Sequence, residues 1–262
     1  MKRIALVSLC VLLLAAAGQA RSVRRPGGLW DNFEAGSWVV THTKTTTPDK
    51  TDEQRIKMTI VHKTDDRPFV LVAREVNGTF ANLGQPKRQI PGFGPDQLGM
   101  THDKAGSDRL TIEGTNHDCR TDLYRSHDRK RDLTRKLKLW RSASVTVPER
   151  EIIVDRGANV ALGPHVVRAE YTVTLGRRTT SYHLELTSVA TPVEVGTKTL
   201  RCIVEKGTAD VRDGQERSTV RTQRWLSREV PGHIVMTHGT YEGEDARVQK
   251  VERVESFEVV TR

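Results

Sequence analysis

The sequence is short of the residues that most often mark an active site or a large apolar cavity. Its 262 residues include three cysteines, 5% aromatic residues and 36% hydrophobic residues. It has no CxxC, HExxH or G-x-S-x-G spacing, so the best-known signatures of zinc sites, metalloproteases and hydrolase nucleophiles are missing. Beyond residue 20, no apolar run is long enough to predict a membrane span.

Residues 1–20 have the three-part layout of a secretory signal peptide. Two basic residues follow the initial Met, residues 4–17 form an apolar run, and small residues lead to a cleavage position near Ala20. The run is short for a membrane span, and an uncleaved anchor is the alternative interpretation. We expect a soluble protein that is periplasmic or secreted.

The chain is basic, with a formal net charge of +9 that falls to about +7 once residues 1–20 are removed. A positive surface favours anionic partners such as lipid headgroups, nucleic acid or acidic glycans. Export argues against nucleic acid, and we expect none as a partner. Because 29% of the residues are charged, with both signs represented, an ordinary solvated β surface explains the same composition.

Two stretches of the chain resemble each other. Residues 140–154 read WRSASVTVPEREIIV and residues 225–235 read WLSREVPGHIV, so both contain W-x-S, then Val-Pro, then a pair of Ile or Val residues. Each follows a Gly-Thr turn and a cysteine, with Cys119 lying 21 residues and Cys202 lying 23 residues before the tryptophan. Four ordered landmarks at nearly equal spacing predict an internal duplication.

We therefore predict two related β repeats, residues 21–160 and residues 161–262. The first repeat carries an insertion at about 77–108 that contains six glycines and three prolines, so it is not expected to be long regular structure. It also carries apolar residues that would suit a lid over a ligand, while a plain packed surface loop is the alternative. The candidate ligand-binding residues are Phe80, Leu83, Phe93, Leu98 and Met100.

Most of the remaining pattern is typical of β-strands. Apolar and polar residues alternate over 167–175, 182–186 and 56–60, and Gly176 begins a turn between the first two of these strands. Only residues 118–139 could hold a helix, and a β interpretation fits them equally well. We predict a mostly β fold with little helix, in which ten to fourteen antiparallel strands form one or two curved sheets or an open barrel.

Several polar residues invite a chemical interpretation. His102, His117 and His127 each precede an aspartate, and together they could hold a divalent ion, although we expect no cofactor. Ser142 and Ser227 occupy equivalent places beside the two tryptophans. A nucleophile duplicated in this way would be unusual, so we interpret both as strand-edge hydroxyls without a catalytic role.

The segment 125–141 is strongly basic and ends near Trp140. It could lie on an anionic membrane with the tryptophan at the level of the headgroups. Alternatively, it is a solvated edge strand whose charges prevent strand-to-strand aggregation. The candidate membrane- or anion-binding residues are Arg129, Lys130, Arg131, Arg135, Lys136 and Lys138.

Two cysteines remain after removal of the signal peptide. An even number in an oxidising compartment permits one disulfide, between Cys119 and Cys202. Two buried free thiols, or half of a metal site, are the alternatives.

The ordered landmarks resemble a pattern found in secreted bacterial proteins of antiparallel β build. In the second repeat the pattern is carried by Cys202, Trp225, Ser227, Val230, Pro231, Gly232, Ile234 and Val235. The copy in the first repeat, which has Glu149 in place of the glycine, is carried by Cys119, Trp140, Ser142, Val147, Pro148, Ile152 and Ile153. A curved sheet that partly wraps a cavity would be similar to the outer-membrane lipoprotein carriers.

This resemblance implies a fold and only an analogy of function. The leading hypothesis is an exported non-enzymatic β protein that binds an apolar or amphipathic ligand, such as a lipid or acyl chain, in a sheet cavity near a membrane. The first alternative is a structural or protein-interaction module of the cell envelope without a ligand pocket. The second is a metal-dependent hydrolase. The sequence does not predict an oligomeric state.

Overall fold

The structure of the protein is a computed structural model that describes residues 29–64, 67–89, 92–152, 159–243 and 247–260. The predicted signal peptide and its cleavage position near Ala20 lie outside the described residues. Within the described ranges, no helix is long and apolar enough to cross a membrane.

The described chain contains sixteen strands, β1 to β16, and one short 3-10 turn at Asp96–Leu98. The first eight strands are β1 (Trp38–Thr46), β2 (Thr51–Thr64), β3 (Arg67–Val76), β4 (Thr79–Asn82), β5 (Lys87–Arg88), β6 (Thr101–Ile112), β7 (Thr115–Asp128) and β8 (Leu133–Arg141). The other eight are β9 (Arg150–Ile152), β10 (Val160–Leu162), β11 (Val166–Leu175), β12 (Arg178–Val195), β13 (Lys198–Asp213), β14 (Glu216–Leu226), β15 (Ile234–Glu242) and β16 (Arg247–Glu258).

Fourteen of these strands form one curved antiparallel sheet that does not close into a barrel. Its order is β4-β3-β2-β1-β16-β15-β14-β13-β12-β11-β8-β7-β6, with β5 paired to β3, while β9 and β10 form a separate hairpin. Most neighbours are consecutive along the chain, as in a meander. The exceptions are the pairing of β8 with β11, the pairing of β3 with β5, and the pairing of β1 with β16, which joins the first strands to the last strand described. The prediction of a mostly β, antiparallel, curved and open fold is confirmed.

The sequence segment that could have been helix or strand is strand. Residues 118–139 fall in β7 and β8, which pair antiparallel from Arg120 opposite Arg141 to Asp128 opposite Leu133. Leu133, Leu137 and Leu139 are buried and alternate with more exposed residues, so the period of two decides the structure.

The core consists of three clusters of buried side chains. The first lies beneath β1–β3 and includes Trp30, Phe33, Val39, Ile60, Val70, Leu200 and Cys202. The second lies on β8, β11 and β12 and is covered by the β9–β10 hairpin; it includes Met100, Leu137, Leu139, Ile152, Val160, Leu162, Tyr171 and Leu184. The third includes Ile112, Cys119, Trp140, Val145, Val147, Val167, Leu186 and Ile203.

The landmarks of the predicted duplication fall at corresponding places in the strand order. Cys119 lies on β7 and Cys202 lies on β13, and each of these strands begins directly after a tight turn. Trp140 and Trp225 lie on the strands that follow, β8 and β14. The two predicted repeats are not separate layers, because β8 pairs with β11 and β16 pairs with β1 in the same sheet. The duplication itself stays a prediction.

The insertion at 77–108 is more regular than the sequence suggested. It contains β4, β5 and the 3-10 turn, and its last eight residues belong to β6. The expectation of a long irregular loop is therefore wrong for residues 101–108, where the partner strand β7 satisfies the backbone of a segment with low strand propensity.

Leu137 provides a test of the second core cluster because its side chain is fully buried. We expect Leu137→Ala to lower the free energy of unfolding by about 2–5 kcal/mol, since the change removes apolar contacts and leaves a cavity. Urea denaturation measures this loss. Leu83→Ala is the matched control, because Leu83 is 56% exposed and its truncation should cost less than about 0.5 kcal/mol. Equal losses in the two variants would contradict the assignment of the core.

Candidate functional site

The five apolar residues predicted to bind a ligand lie in different surroundings. Leu98 and Met100 pack into the second core cluster, and Met100 is buried. Leu83 is exposed, Phe80 lies on the short edge strand β4, and the backbone of Phe93 forms a bridge to β10. One end of the insertion therefore covers packed core and the other end faces solvent. Ligand binding by this set stays a prediction.

The three candidate metal-binding histidines do not converge. His102 lies 3.2 Å from an Asp122 oxygen, His117 lies 3.0 Å from the Ser144 hydroxyl, and His127 contacts a threonine on β8. Residues ten positions apart on one strand, as His117 and His127 are on β7, are separated by about 30 Å. No three His, Cys, Asp or Glu residues in the described ranges could hold a metal ion. The described structure therefore does not bring His102, His117 and His127, which the sequence offered only as candidates, together at one point.

The expected disulfide is not formed. Cys119 and Cys202 are both free and buried, and they belong to different core clusters. Three strands, β8, β11 and β12, lie between β7 and β13 in the sheet, whereas a disulfide requires Cα atoms about 4.4–6.8 Å apart. Burial raises the pKa of the Cys202 thiol to about 11, and burial also raises the pKa of Cys119. Both cysteines serve as small apolar core residues.

The segments that follow Val147-Pro148 and surround Val230-Pro231, here called the two Val-Pro corners, pack against each other. The Arg228 guanidinium donates a hydrogen bond to the Val147 carbonyl at 3.0 Å, and His233 Nδ1 lies 3.4 Å from the Glu149 carbonyl. Within the second corner, the Ser227 amide donates to the His233 carbonyl at 2.8 Å. The repeated motif therefore forms a contact between distant parts of the chain.

The conformation and the packing of the second corner both require glycine at position 232. Gly232 has a left-handed φ of +81°, and a Cβ at this position would lie 3.0 Å from the Trp30 ring. Any other residue would be strained there and would push against the first core cluster. The buried His233 follows, and burial lowers the pKa of its imidazole, which favours the neutral ring.

Neither serine of the W-x-S motif is arranged as a nucleophile. The Ser227 hydroxyl accepts a hydrogen bond from the Glu229 amide at 3.3 Å, and the Ser142 hydroxyl lies 2.9 Å from that of Ser144. Within the described hydrogen bonds, neither hydroxyl meets a histidine. Ser142 and Ser227 are both buried, as suits hydroxyls that stabilise a turn at a strand end.

Beneath the corners lies a buried ion cluster that the sequence analysis missed. Arg150 and Glu205 have side chains only 2% and 1% exposed, and Arg150 Nε donates to Glu205 Oε2 at 2.7 Å. Arg224 contacts the other carboxylate oxygen, and Arg150 also donates to the Val166 carbonyl. The sequence signal was weak, because an arginine after Pro-Glu in a polar stretch normally predicts a surface residue.

The basic segment is not an edge strand. β8 lies between β7 and β11, and the edge of the sheet on this side is β6. Trp140 is buried beneath two cations, with Lys138 Nζ 4.2 Å and the Arg168 guanidinium 4.7 Å from its ring centroid, and it donates to Asp108 at 2.8 Å. Both the edge-strand interpretation and the placement of Trp140 at the membrane headgroups are therefore wrong.

Part of the basic segment meets other cations at one end of the sheet. The turns of the β7–β8, β11–β12 and β13–β14 hairpins lie side by side there, because Leu133 pairs with Leu175 and Arg178 pairs with Asp213. We call their basic residues the basic rim. It consists of Arg129, Lys130, Arg131, Arg177, Arg178, Arg212 and Arg217.

Most cations of the basic rim lack an ionic partner. Arg131 lies 3.7 Å from Asp128, and Arg178 lies 4.0 Å from Asp213. The rest of the rim forms no ion pair with any described residue. These unpaired side chains are Arg129, Lys130, Arg177, Arg212 and Arg217, and all of them are exposed.

A concavity of about 410 Å³ adjoins the basic rim. β6 begins at Thr101, opposite Arg125 of β7. The last residues of β7, from Ser126 to Asp128, therefore extend beyond β6, and the concavity lies at this step. The Ser126 hydroxyl is buried and makes no hydrogen bond within the described structure. The lining combines hydroxyls with cations and consists of Thr101, Arg125, Ser126, His127, Thr134, Arg135 and Lys136.

The basic residues predicted to act together are thus divided. Arg129, Lys130 and Arg131 lie in the turn, whereas Arg135 and Lys136 line the concavity. Arg135 also donates to the Leu98 carbonyl at 3.3 Å, and Lys138 stacks on Trp140 away from the rim.

Comparison with known proteins gives three similar solved chains, which include the two that follow. The sequence matches no known protein family and no curated protein. A protein from Bacteroides fragilis, assigned as exported and with a YmcC-like fold, is 9% identical with a TM-score of 0.34, over 87% of this chain and 98% of its own. A protein from Parabacteroides distasonis, assigned as a lipoprotein, is 9% identical with a TM-score of 0.34, over 90% of this chain and 100% of its own. Likeness at this level transfers no function.

Glu205 provides a test of the buried ion cluster. We expect Glu205→Ala to lower the free energy of unfolding by about 3–5 kcal/mol, because two arginines would lose their shared counter-ion in a buried site. Thermal and urea denaturation measure the loss. Glu185→Ala is the control, since this partly exposed carboxylate is worth at most about 1 kcal/mol. A loss at Glu205 no larger than that at Glu185 would contradict the assignment.

The two thiols provide a test of the cysteine assignment. In the native protein we expect Cys119 and Cys202 to react very slowly with a thiol reagent at neutral pH, because both are buried and protonated. Both should react once guanidinium unfolds the chain without a reductant. Reductant should also leave the melting temperature of the purified protein unchanged. A fall in melting temperature on reduction would show that the bridge exists.

Proposed function

We propose that this protein is an exported, non-enzymatic β module that binds an anionic surface through its basic rim, with anionic lipid headgroups as the ligand. The observation that carries the proposal is the convergence of three hairpin turns, which leaves five exposed cations without ionic partners at one end of the sheet. The predicted signal peptide favours export. An exported protein would have access to a lipid surface in the envelope.

The physical basis is electrostatic attraction at short range. Each Lys or Arg near an anionic membrane surface contributes about 1 kcal/mol, and the attraction falls off within a Debye length of about 8–10 Å. Because the rim residues lie on adjacent turns, they can approach one plane together. The neighbouring concavity adds positive charge, because Arg125 and Lys136 lie opposite each other on one face of β7 and β8.

The hypothesis of an apolar ligand inside the sheet has less support from the geometry. It requires the five candidate residues of the insertion to surround one cavity, yet Leu98 and Met100 fill the core while Leu83 faces solvent. Surface binding requires no such cavity. It also makes use of part of the basic segment, which the carrier hypothesis assigned to approaching the membrane.

Vesicle sedimentation tests the proposal. We expect the purified protein to bind vesicles that contain 30% phosphatidylglycerol, more weakly at 0.5 M salt, and not to bind vesicles of phosphatidylcholine alone. Reversing three rim charges, with Arg129→Glu, Lys130→Glu and Arg131→Glu together, should lower the partition coefficient by roughly 100-fold, at about 1 kcal/mol for each cation.

The matched control reverses three exposed cations elsewhere, namely Lys87→Glu, Arg88→Glu and Arg201→Glu. It changes the net charge by the same amount but should leave most of the binding intact. Equal losses in the two triple variants would mean that net charge alone drives association. Equal binding to neutral vesicles would overturn the electrostatic mechanism.

A further inference from the structure

The two edges of the large sheet differ in the length of their strands. One edge is formed by β4 and β5, which have only four and two residues. The other edge is β6, with twelve residues, of which the first nine are all exposed. Among the described strands, β6 pairs only with β7, so its outer side offers a row of backbone donors and acceptors. Proteins normally shorten or cover such an edge, because it is a template for pairing with another strand.

The charges of β6 are arranged symmetrically about Gly106. Lys104 lies two residues before this glycine and Asp108 two residues after it, while Asp103 and Arg109 lie three residues to either side. Each position on one side therefore has the opposite charge on the other. In an antiparallel pair of identical strands with Gly106 opposite Gly106, every Lys104 would face Asp108 and every Asp103 would face Arg109.

We propose that β6 is a dimerisation edge, on which a second copy of this chain adds its own β6 antiparallel in this register. Backbone hydrogen bonds would supply affinity, as in other cases of strand addition. The two-fold axis passes at Gly106, so each cross-strand contact occurs twice, as in an isologous interface. This inference is independent of membrane binding by the basic rim.

The charge pattern also disfavours the neighbouring register. A one-residue shift would turn the opposite faces of the two strands together, so the nearest alternative register is a shift of two residues. That shift would place Lys104 opposite Gly106 and Asp108 opposite His102, and both ion pairs would be lost. The same residues that block indiscriminate pairing therefore select one alignment of the chain with itself, which is how a specific interface excludes alternatives.

The side chains concerned are already held in place within the monomer. Asp108 accepts hydrogen bonds from Trp140 Nε1 at 2.8 Å and from the Arg109 amide at 2.9 Å, and the Trp140 hydrogen bond lowers the pKa of Asp108, which stays ionised at neutral pH. Arg109 Nε donates to Asp118 at 2.8 Å. Lys104 is exposed and makes no ion pair within the described chain, so it can pair with a partner's Asp108.

Gly106 suits the centre of the interface for two reasons. A Cβ at this position would lie 2.9 Å from the Thr121 hydroxyl, so glycine allows β6 to approach β7 closely. Its lack of a side chain also lets a second backbone approach from the outer side. Asp103 is the bulged residue between His102 and Lys104, so the bulge affects the pairing of Asp103 with Arg109, while the segment from Lys104 to Asp108 is regular.

Site-directed cross-linking tests the register. Mixing Ala105→Cys with Ser107→Cys under mild oxidation should give a covalent dimer, because directly opposed residues have Cα atoms about 4.5–5.5 Å apart. The control mixes Ala105→Cys with Thr111→Cys, which would be about 13 Å apart in this register and should not cross-link. The native Cys119 and Cys202 are buried and should not interfere.

Sedimentation equilibrium of the wild-type protein and of charge variants tests the proposed pairing of Lys104 with Asp108. The wild-type protein should reach twice the monomer mass, and Lys104→Asp alone should stay monomeric. Mixing the Lys104→Asp and Asp108→Lys proteins should restore the dimer, because every opposed pair would again have opposite signs. Circular dichroism checks that Asp108→Lys, which loses the Trp140 hydrogen bond, is folded. A monomeric wild type at high concentration, or equal cross-linking of the test and control pairs, would overturn the proposal.

Discussion

The buried pair of Arg150 and Glu205 is the interaction on which much of the interior depends. It lies beneath the two Val-Pro corners and connects the start of β9 to the middle of β13. Removing charges from water is expensive, and the contacts around such a pair offset only part of that cost. Arg224 and the Val166 carbonyl add contacts, while Arg150 Nη1 is buried without a hydrogen-bond partner in the described structure. The β9–β10 hairpin, which covers the second core cluster, begins at this point.

The second constraint is the pairing of β1 with β16. The described chain begins and ends near this pair, and it turns two meanders into one sheet of fourteen strands. A sheet this large must curve, and its long strands carry bulges where the pairing register shifts, as in β16 and β12. Antiparallel pairing places hairpin turns side by side at one end of the sheet, and because the sheet is open it keeps a long edge strand. The basic rim and β6 follow from these two features.

Sequence reasoning was most successful where a period of two decided the structure. The alternation in β2, β11 and β12 was predicted, as was the turn that begins at Gly176. It was least successful where residues far apart in the chain meet. The three histidines looked like a cluster because they are close in sequence, but two of them lie far apart on one extended strand. The predicted disulfide failed for a similar reason, since equivalent positions in two repeats need not be neighbours.

The sequence by itself determined the fold class, because strand alternation, turn residues and the Val-Pro corners are local signals that need no partner. It also determined that the chain would be basic. Only the tertiary structure decided where that charge is concentrated, since Arg177 and Arg212 join Arg129 at one end of the sheet through strand pairing. The order of strands likewise decided that β6, and not β8, is the edge. Both outcomes depend on long-range pairing, whose register is set by the burial of all strands together.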